Sequence, residues 1–177
     1  DCAIQEQAVV ERAVELSVFA TDYIDLNIQD IALRDLVESV IASGGYEREA
    51  LIRNEIPDDV HMPGDARRLA VALESLISNA VRYNDPPKEV WIRYRESPEN
   101  HYIMVCDNGR GIPKEKIRSI FDPFYIRDAC DQDKKGGGVG LSLSIANRYV
   151  RLHGGEITVA SQVGEGSTFT IRIPKEV

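Results

Sequence analysis

Apolar residues recur at three- and four-residue steps over residues 69–84, and this period predicts a long helix with one buried face. The same period predicts a helix over 35–43, ended by Gly44 and Gly45, and another over 141–152. Asp65 precedes the long helix and is predicted to be its N-cap. A short helix is expected over 114–120.

Alternating apolar and polar positions predict strands over 50–56, 90–95, 156–160 and 167–173. Residues 102–106 are almost uniformly apolar, which predicts a central strand. In the last strand, one face carries Phe169, Ile171 and Ile173, and the other carries Thr168, Thr170 and Arg172. Crossover helices do not regularly separate these strands. The pattern therefore predicts an α/β two-layer sandwich: a mixed, mostly antiparallel sheet with helices packed on one face.

Residues 1–25 contain neither Gly nor Pro and carry a broad stripe of small apolar residues, so a helix is predicted there. This helix could pack on its own domain, or it could be the end of a longer helix that pairs with another. Because the chain begins with Asp1, we expect it to be part of a longer protein. We predict a helical segment over 1–28 and one main domain over 29–177.

The composition is that of a soluble globular protein, with 43% hydrophobic and 28% charged residues among 177. A net charge of −8 argues against nucleic-acid binding. No apolar run is long enough to span a bilayer, so no direct membrane contact is expected. The three cysteines are far apart and form no CxxC motif, as expected for free thiols in a cytoplasmic domain.

Three polar residues lie close together near the end of the long helix: Asn79, Arg82 and Tyr83. Their spacing places an amide oxygen, a cation and a phenol on neighbouring positions of one helix surface. An amide oxygen can ligate Mg²⁺ without adding charge, which suits a cation already held by a triphosphate. Alternatively, Asn79 is a solvated or capping residue.

Asp107 follows the predicted central strand, and Gly109 and Gly111 come directly after it. A carboxylate there can accept a hydrogen bond from an exocyclic amine such as that of adenine, and the glycines would allow a ligand to approach the backbone. The alternative is an Asx-turn over residues 107–109.

A glycine-rich loop over 136–140 precedes the helix predicted from 141, so its amides could face a phosphate. Neither the GxGxxG fingerprint nor the GxxxxGK[ST] loop fits this segment. Phe121 and Phe124 precede a polar run over 127–135. These two aromatic residues could anchor a mobile lid, or they could simply be core residues.

These motifs, followed by the Gly-Glu-Gly-Ser-Thr-Phe segment over 164–169, resemble in their order the ATP-binding catalytic domain of sensor histidine kinases, which shares the Bergerat ATP fold with Hsp90, gyrase B and MutL. The resemblance implies that Asn79 ligates Mg²⁺, that Arg82 and Tyr83 lie beside the phosphates, and that Asp107 binds the adenine amine. It implies that Gly111 lets the base approach and that Thr168 lines the adenine pocket. The phosphate loop would be shaped by Gly136, Gly138 and Gly140. The implied nucleotide-binding set is completed by Gly109, Ile112, Phe121, Phe124, Val139 and Leu141.

The resemblance also implies a histidine kinase that transfers the γ-phosphoryl group of ATP to a histidine on a dimerisation domain, within a homodimeric parent that then acts on a response regulator. Ser75 stands one turn before Asn79, where the ATP-hydrolysing relatives have a catalytic glutamate, and this disfavours hydrolysis. None of the three histidines (His61, His101, His153) is followed by an acidic residue, as the phosphorylated histidine is in these kinases. The chain is therefore expected to lack its own phosphoacceptor. The resemblance further implies that residues 1–28 are the end of a dimerisation helix and its linker.

Three alternatives remain open on the same fold. One is a serine kinase of the anti-sigma type, and another is a catalytically silent module that binds ATP or a partner. An ATP-dependent conformational switch of the Hsp90 or MutL kind is disfavoured by the absence of the glutamate.

Overall fold

The computed structural model describes residues 24–125 and 140–176 of the chain. The helix predicted over 1–25 lies almost entirely outside the described residues, as does most of the glycine-rich loop, including Gly136, Gly138 and Val139. The division into segments 1–28 and 29–177 stays a prediction.

The described residues form seven strands and three α-helices. In chain order these are β1 (Gln29–Ala32), α1 (Leu33–Gly44), a 3₁₀ turn (Tyr46–Arg48), β2 (Leu51–Asn54), β3 (His61–Gly64), α2 (Ala66–Arg82), β4 (Glu89–Glu96), β5 (Asn100–Asp107), α3 (Ser142–Leu152), β6 (Glu156–Gln162) and β7 (Gly166–Pro174).

Five strands form one sheet in the order β2-β4-β5-β7-β6. The β2–β4 pair is parallel, and the other three pairs are antiparallel. The uniformly apolar strand β5 lies at the centre, as predicted. The predicted α/β two-layer sandwich is confirmed.

The core lies between the helices and the inner face of the sheet. Alternate residues of the strands point inward and are fully buried, among them Ile92, Ile103, Val105 and Ile171. The amphipathic helix α2 covers them with its buried stripe, which comprises Leu69, Ala72, Leu73, Leu76, Ile77 and Ala80. The residues that the helical period of the sequence placed on the apolar face of α2 are therefore the ones that are buried.

Two predicted elements differ from the structure. Residues 114–121 form consecutive turns rather than a helix, because their backbone bonds span three residues, as from Lys116 N to Pro113 O at 2.9 Å. The small antiparallel sheet of β1 and β3 was not predicted. Both of its strands are short, and each buries few side chains, so neither shows a clear alternation.

A buried polar junction joins the start of α2, the end of α3 and the chain that enters before β1. Asp65 caps α2 as predicted, since its Oδ1 accepts from Arg68 N at 3.1 Å and its Oδ2 accepts from the Arg68 guanidinium. Oδ2 also accepts from Asn27 N at 3.0 Å. The N–H of Asp65 donates to Nε2 of the fully buried His153 at 2.9 Å.

The tautomer of His153 follows from these contacts. Its Nδ1 lies 2.7 Å from the carbonyl oxygen of Tyr149, so Nδ1 carries the hydrogen and Nε2 is the acceptor. A neutral imidazole therefore fastens the last turn of α3 to the first turn of α2.

The Asp65 carboxylate should increase the loss in free energy of unfolding as the pH falls. Burial raises the pKa of Asp65, but hydrogen bonds from Asn27 and Arg68 outweigh burial and hold the pKa below its ordinary value. Its stabilising effect is therefore present above the pKa of the unfolded chain and is lost as the pH falls through the folded pKa. Asp65→Asn should lower the free energy of unfolding by about 1–3 kcal/mol at pH 7 and by less near pH 3.

This pH dependence is measured by urea unfolding at a series of pH values. Asp59→Asn, which removes an exposed carboxylate from a turn, controls for the loss of one negative charge. Parallel stability curves for the native chain and Asp65→Asn would contradict the expectation.

Candidate nucleotide-binding site

The last turn of α2 carries the three polar residues that the sequence singled out. Asn79 is partly buried. Its backbone carbonyl oxygen accepts a hydrogen bond from Tyr83 N at 3.0 Å, and this bond ends the helix. Arg82 is exposed in this last turn, where a cation is favoured by the helix dipole. The carbonyl oxygen of Tyr83 accepts from Arg110 N at 3.4 Å. This bond joins the end of α2 to the loop that follows β5.

Asp107 ends the central strand and is held by two backbone amides. Its Oδ1 accepts from Gly109 N at 2.8 Å and from Ser167 N at 3.2 Å. The first bond is that of the Asx-turn, and the second fastens the carboxylate to β7. The carboxylate is therefore set in one orientation at the centre of the sheet.

The loop after Asp107 packs closely under the β6–β7 hairpin. Gly111 has a φ of +68°, and a Cβ there would lie 1.9 Å from the carbonyl oxygen of Gln162. The close approach that demands glycine at this position is therefore to the hairpin backbone. The next residue, Ile112, is buried, and its N–H donates to Ser161 Oγ at 2.7 Å.

Phe121 and Phe124 have different surroundings. Phe121 packs edge-on against Phe169 with ring centroids 6.5 Å apart, so it belongs to the core. Phe124 is 59% exposed, has a φ of +67°, and donates its N–H to the carbonyl oxygen of Gly140 at 3.0 Å. Gly140 is confined in turn, because a Cβ there would lie 2.5 Å from the carbonyl oxygen of Tyr125.

The start of α3 lies directly after Gly140. Leu141 is buried at the N-cap position, and its carbonyl oxygen accepts from Ile145 N at 2.9 Å and from Ser144 Oγ at 2.8 Å. Ser75 of α2 donates its hydroxyl to the carbonyl oxygen of Ser142 at 3.1 Å. The Ser75 side chain thus joins α2, which carries Asn79, to the start of α3, which follows the glycine-rich loop.

The prediction that Thr168 lines the pocket does not fit the strand geometry. Thr168 pairs with Cys106, whereas Ser167 pairs with Asp107. Because successive side chains of a strand point to opposite faces, Thr168 lies on the outer face and Ser167 on the inner face with Asp107. Ser167 is 8% exposed, and its Oγ lies 2.9 Å from Ser161 Oγ.

The alternation in the sequence could have located Ser167. Phe169, Ile171 and Ile173 share one face of the strand, and Thr168 lies on the other. Counting back two residues from Phe169 gives Ser167 on the buried face.

Tyr46 is a second residue near the site that sequence reasoning missed. Its phenol lies beside Ser78, the neighbour of Asn79, and close to Glu74 and Arg82. Burial raises the pKa of the Tyr46 phenol, while its hydrogen bond with Ser78 acts in the opposite direction. No helical period includes Tyr46, because it follows Gly45 at a change of chain direction where φ is +65°.

A cleft of about 420 Å³ borders the predicted site and overlaps it at one residue. It is lined by Asp85, Pro86, Pro87, Asn108, Gly109, Arg110, Val163 and Gly164. Of the predicted binding residues within the described ranges, Gly109 alone lines it. The bidentate pair of Arg110 and Asp85, with both distances 2.8 Å, occupies its charged groups.

Within residues 24–125 and 140–176, no group of three or more His, Cys, Asp or Glu side chains could hold a metal ion. An amide oxygen such as that of Asn79, together with ligand phosphates, is a donor set that suits Mg²⁺. None of the described helices is long and apolar enough to span a membrane.

Comparison with known proteins defines the class of protein to which this fold and this site belong. Residues 64–177 match the family described as histidine kinase-, DNA gyrase B- and HSP90-like ATPase. The chain belongs to this ATPase family, and ATP is accordingly the nucleotide that its fold binds.

Individual relatives are histidine kinases. The chain is 32% identical over 168 residues to the signal transduction histidine-protein kinase AfsQ2 of Streptomyces coelicolor, covering 95% of this chain and 30% of that protein. It is 34% identical over 172 residues to the sensor histidine kinase WalK of Bacillus subtilis, covering 94% of this chain and 28% of that protein. The chain therefore spans less than a third of the length of these relatives.

Solved structures share the fold. The nucleotide-free catalytic domain of histidine kinase ThkA superposes with a TM-score of 0.70 at 24% identity, covering 84% of this chain and 98% of that one. The Acinetobacter baumannii histidine kinase AdeS superposes with a TM-score of 0.77 at 23% identity, covering 97% of this chain and 79% of that one.

We expect Gly111→Ala to be strongly destabilising, because the new methyl group would overlap the backbone of Gln162 in addition to straining φ. The expected loss is about 3–5 kcal/mol in the free energy of unfolding, measured in urea. Gly164→Ala is the matched control, since Gly164 has a φ of +85° and a methyl group there would meet nothing within 4 Å. It should lose only about 1 kcal/mol to strain, and equal losses for the two variants would contradict the packing argument.

Proposed function

We propose that residues 29–177 are the ATP-binding catalytic domain of a sensor histidine kinase, and that residues 1–28 are the end of a dimerisation helix with its linker. The observation that carries this proposal is the position of Asp107. Its carboxylate ends the central strand on the inner, helix-covered face, oriented by the amides of Gly109 and Ser167. The family match and the histidine kinase relatives support the same function.

The adenine of ATP binds at Asp107. With Oδ1 directed to two backbone amides, the carboxylate is pre-oriented to accept a hydrogen bond from the exocyclic amine. Because this acceptor is charged, the bond is stronger than one between neutral groups. Ser167, on the same face as Asp107, takes the place in the pocket that the sequence had assigned to Thr168.

The phosphates lie between the last turn of α2 and the start of α3. Asn79 supplies an amide oxygen to Mg²⁺, and Arg82 supplies a cation to the phosphate oxygens. The backbone amides in the first turn of α3 favour an anion. When bound, Mg²⁺ would neutralise charge on the β- and γ-phosphates during transfer. The residues of this chain contribute orientation and charge rather than a nucleophile.

The phosphoacceptor lies on another domain of the parent protein. None of the three histidines suits transfer: His153 is fully buried with both ring nitrogens bonded, and His101 is buried with Nδ1 2.7 Å from Tyr94 Oη. His61 is exposed, but it pairs with Asp30 and lies just before the N-terminal end of α2, whereas Asn79 lies in the last turn of that helix. The partners are a dimerisation domain within a homodimer and, downstream, a response regulator. One structural neighbour is the kinase ThkA in complex with a response regulator protein.

We expect the chain to bind ADP and a non-hydrolysable ATP analogue, more tightly with Mg²⁺ than without it. Asp107→Asn should weaken binding by about 10- to 100-fold, because a charge-assisted hydrogen bond to the base is lost. Asn79→Ala should bring the affinities with and without Mg²⁺ close together. Calorimetric titration measures each of these effects.

Thr168→Ala is the control for this experiment, because Thr168 lies on the outer face of the sheet. Its affinity should equal that of the native chain. If the folded native chain bound neither nucleotide, ATP binding at this site would be refuted. A silent partner-binding module would then be the better description.

We expect no phosphorylation of the chain incubated alone with γ-labelled ATP. Label should appear on a separate helical domain that carries a histidine followed by an acidic residue, and it should be lost in acid, because phosphoramidates hydrolyse there. Label on the chain itself would contradict the absence of an acceptor. An acid-stable product on a folded protein with an acceptor serine would instead identify a serine kinase of the anti-sigma type.

A further inference from the structure

Ser75 has a buried hydroxyl at the edge of the apolar face of α2. Its side chain is 8% exposed, and its neighbours Leu73, Leu76 and Ile77 are fully buried. A buried hydroxyl without a partner would cost free energy. The hydroxyl donates instead to the carbonyl oxygen of Ser142, 67 residues along the chain, at 3.1 Å.

The two ends of this bond have defined places in the site. Ser75 lies one helical turn before Asn79, about 6 Å along the axis of α2 and on a neighbouring part of the same face. Ser142 is the first residue of α3, directly after Gly140 and Leu141. The bond therefore connects the helix of the amide ligand to the helix end that faces the phosphates.

Apolar packing between α2 and α3 fixes their relative position less sharply than a directional bond does. Burial of apolar surface is non-directional, so it brings the helices together but tolerates sliding of one along the other. A hydrogen bond has a narrow range of length and angle. The start of α3 is thereby held at one height beside the last two turns of α2.

We propose that Ser75 is a positioning residue, which holds the start of α3 at the height where one Mg²⁺-bound triphosphate reaches both Asn79 and the first amides of α3. This inference rests on the proposed function. Ser75 would act by holding Ser142, not by activating a water molecule, because the hydrogen of its hydroxyl is directed to the Ser142 carbonyl oxygen. The hydroxyl should matter for the part of nucleotide affinity that depends on Mg²⁺.

The test compares the native chain with Ser75→Ala, Ser75→Thr and Ser43→Ala. Ser43 is the control, because it lies in α1 and its hydroxyl bonds to the carbonyl oxygens of Ser39 and Val40 in the same helix. The affinity for a non-hydrolysable ATP analogue is measured calorimetrically with and without Mg²⁺, and thermal unfolding is followed for each variant.

We expect Ser75→Ala to reduce the gain in affinity from Mg²⁺ by about three- to ten-fold, the effect of one net hydrogen bond. The affinity without Mg²⁺ should change by less than about two-fold. Ser75→Thr should restore the gain, because threonine keeps the hydroxyl. Ser43→Ala should leave the gain unchanged.

Two results would overturn the positioning role while leaving the proposed function intact: Ser75→Ala binds the analogue as the native chain does under both conditions, or it binds more weakly by the same factor with and without Mg²⁺. The second would mean that the hydroxyl only stabilises the fold. A native chain that binds no nucleotide would refute the proposed function, and this inference with it. The native titration therefore separates the two kinds of failure.

Discussion

The antiparallel register of β5 and β7 is the constraint on which the rest of the site depends. It pairs Asp107 with Ser167 at the end of the central strands, so the carboxylate receives an amide from β7 as well as from its own turn. A shift of one residue would turn every side chain of β7 to the other face. Asp107 would then lose the Ser167 amide, and the buried Phe169 and Ile171 would leave the core.

Much of the fold could be predicted because burial enforces it residue by residue. The stripe of α2 and the uniformly apolar β5 each indicate how they pack, and both were predicted correctly. The N-cap role of Asp65 was also visible, since a carboxylate before an amphipathic helix satisfies amides of its first turn. The β1–β3 sheet was not visible, because its two strands bury few side chains and their pairing depends on contacts distant in sequence.

For the candidate site, the sequence indicated which residues to consider but not how they are oriented, and their binding roles stay predictions. The positions of Asn79, Asp107 and Gly111 followed from motifs that keep their order along the chain. The alternation along the last strand puts Thr168 on the face opposite Phe169, so its assignment to the pocket rested on the resemblance and went against the strand pattern. The close contact at Gly111 is with the Gln162 backbone, and a sequence cannot show which segment packs over a glycine. The contact between Ser75 and Ser142 likewise joins residues that no local pattern connects.

The junction at Asp65 has a mechanical consequence. The chain enters the domain through residues 24–28 and is fastened at Asn27 to the first turn of α2. Asp65 lies fourteen positions before Asn79, so α2 is a rod about 21 Å long between the point of attachment and the proposed Mg²⁺ ligand. A force on the entering chain would act at the end of α2 opposite Asn79, and the bond from Asp65 to the buried imidazole of His153 would pass part of that force to α3.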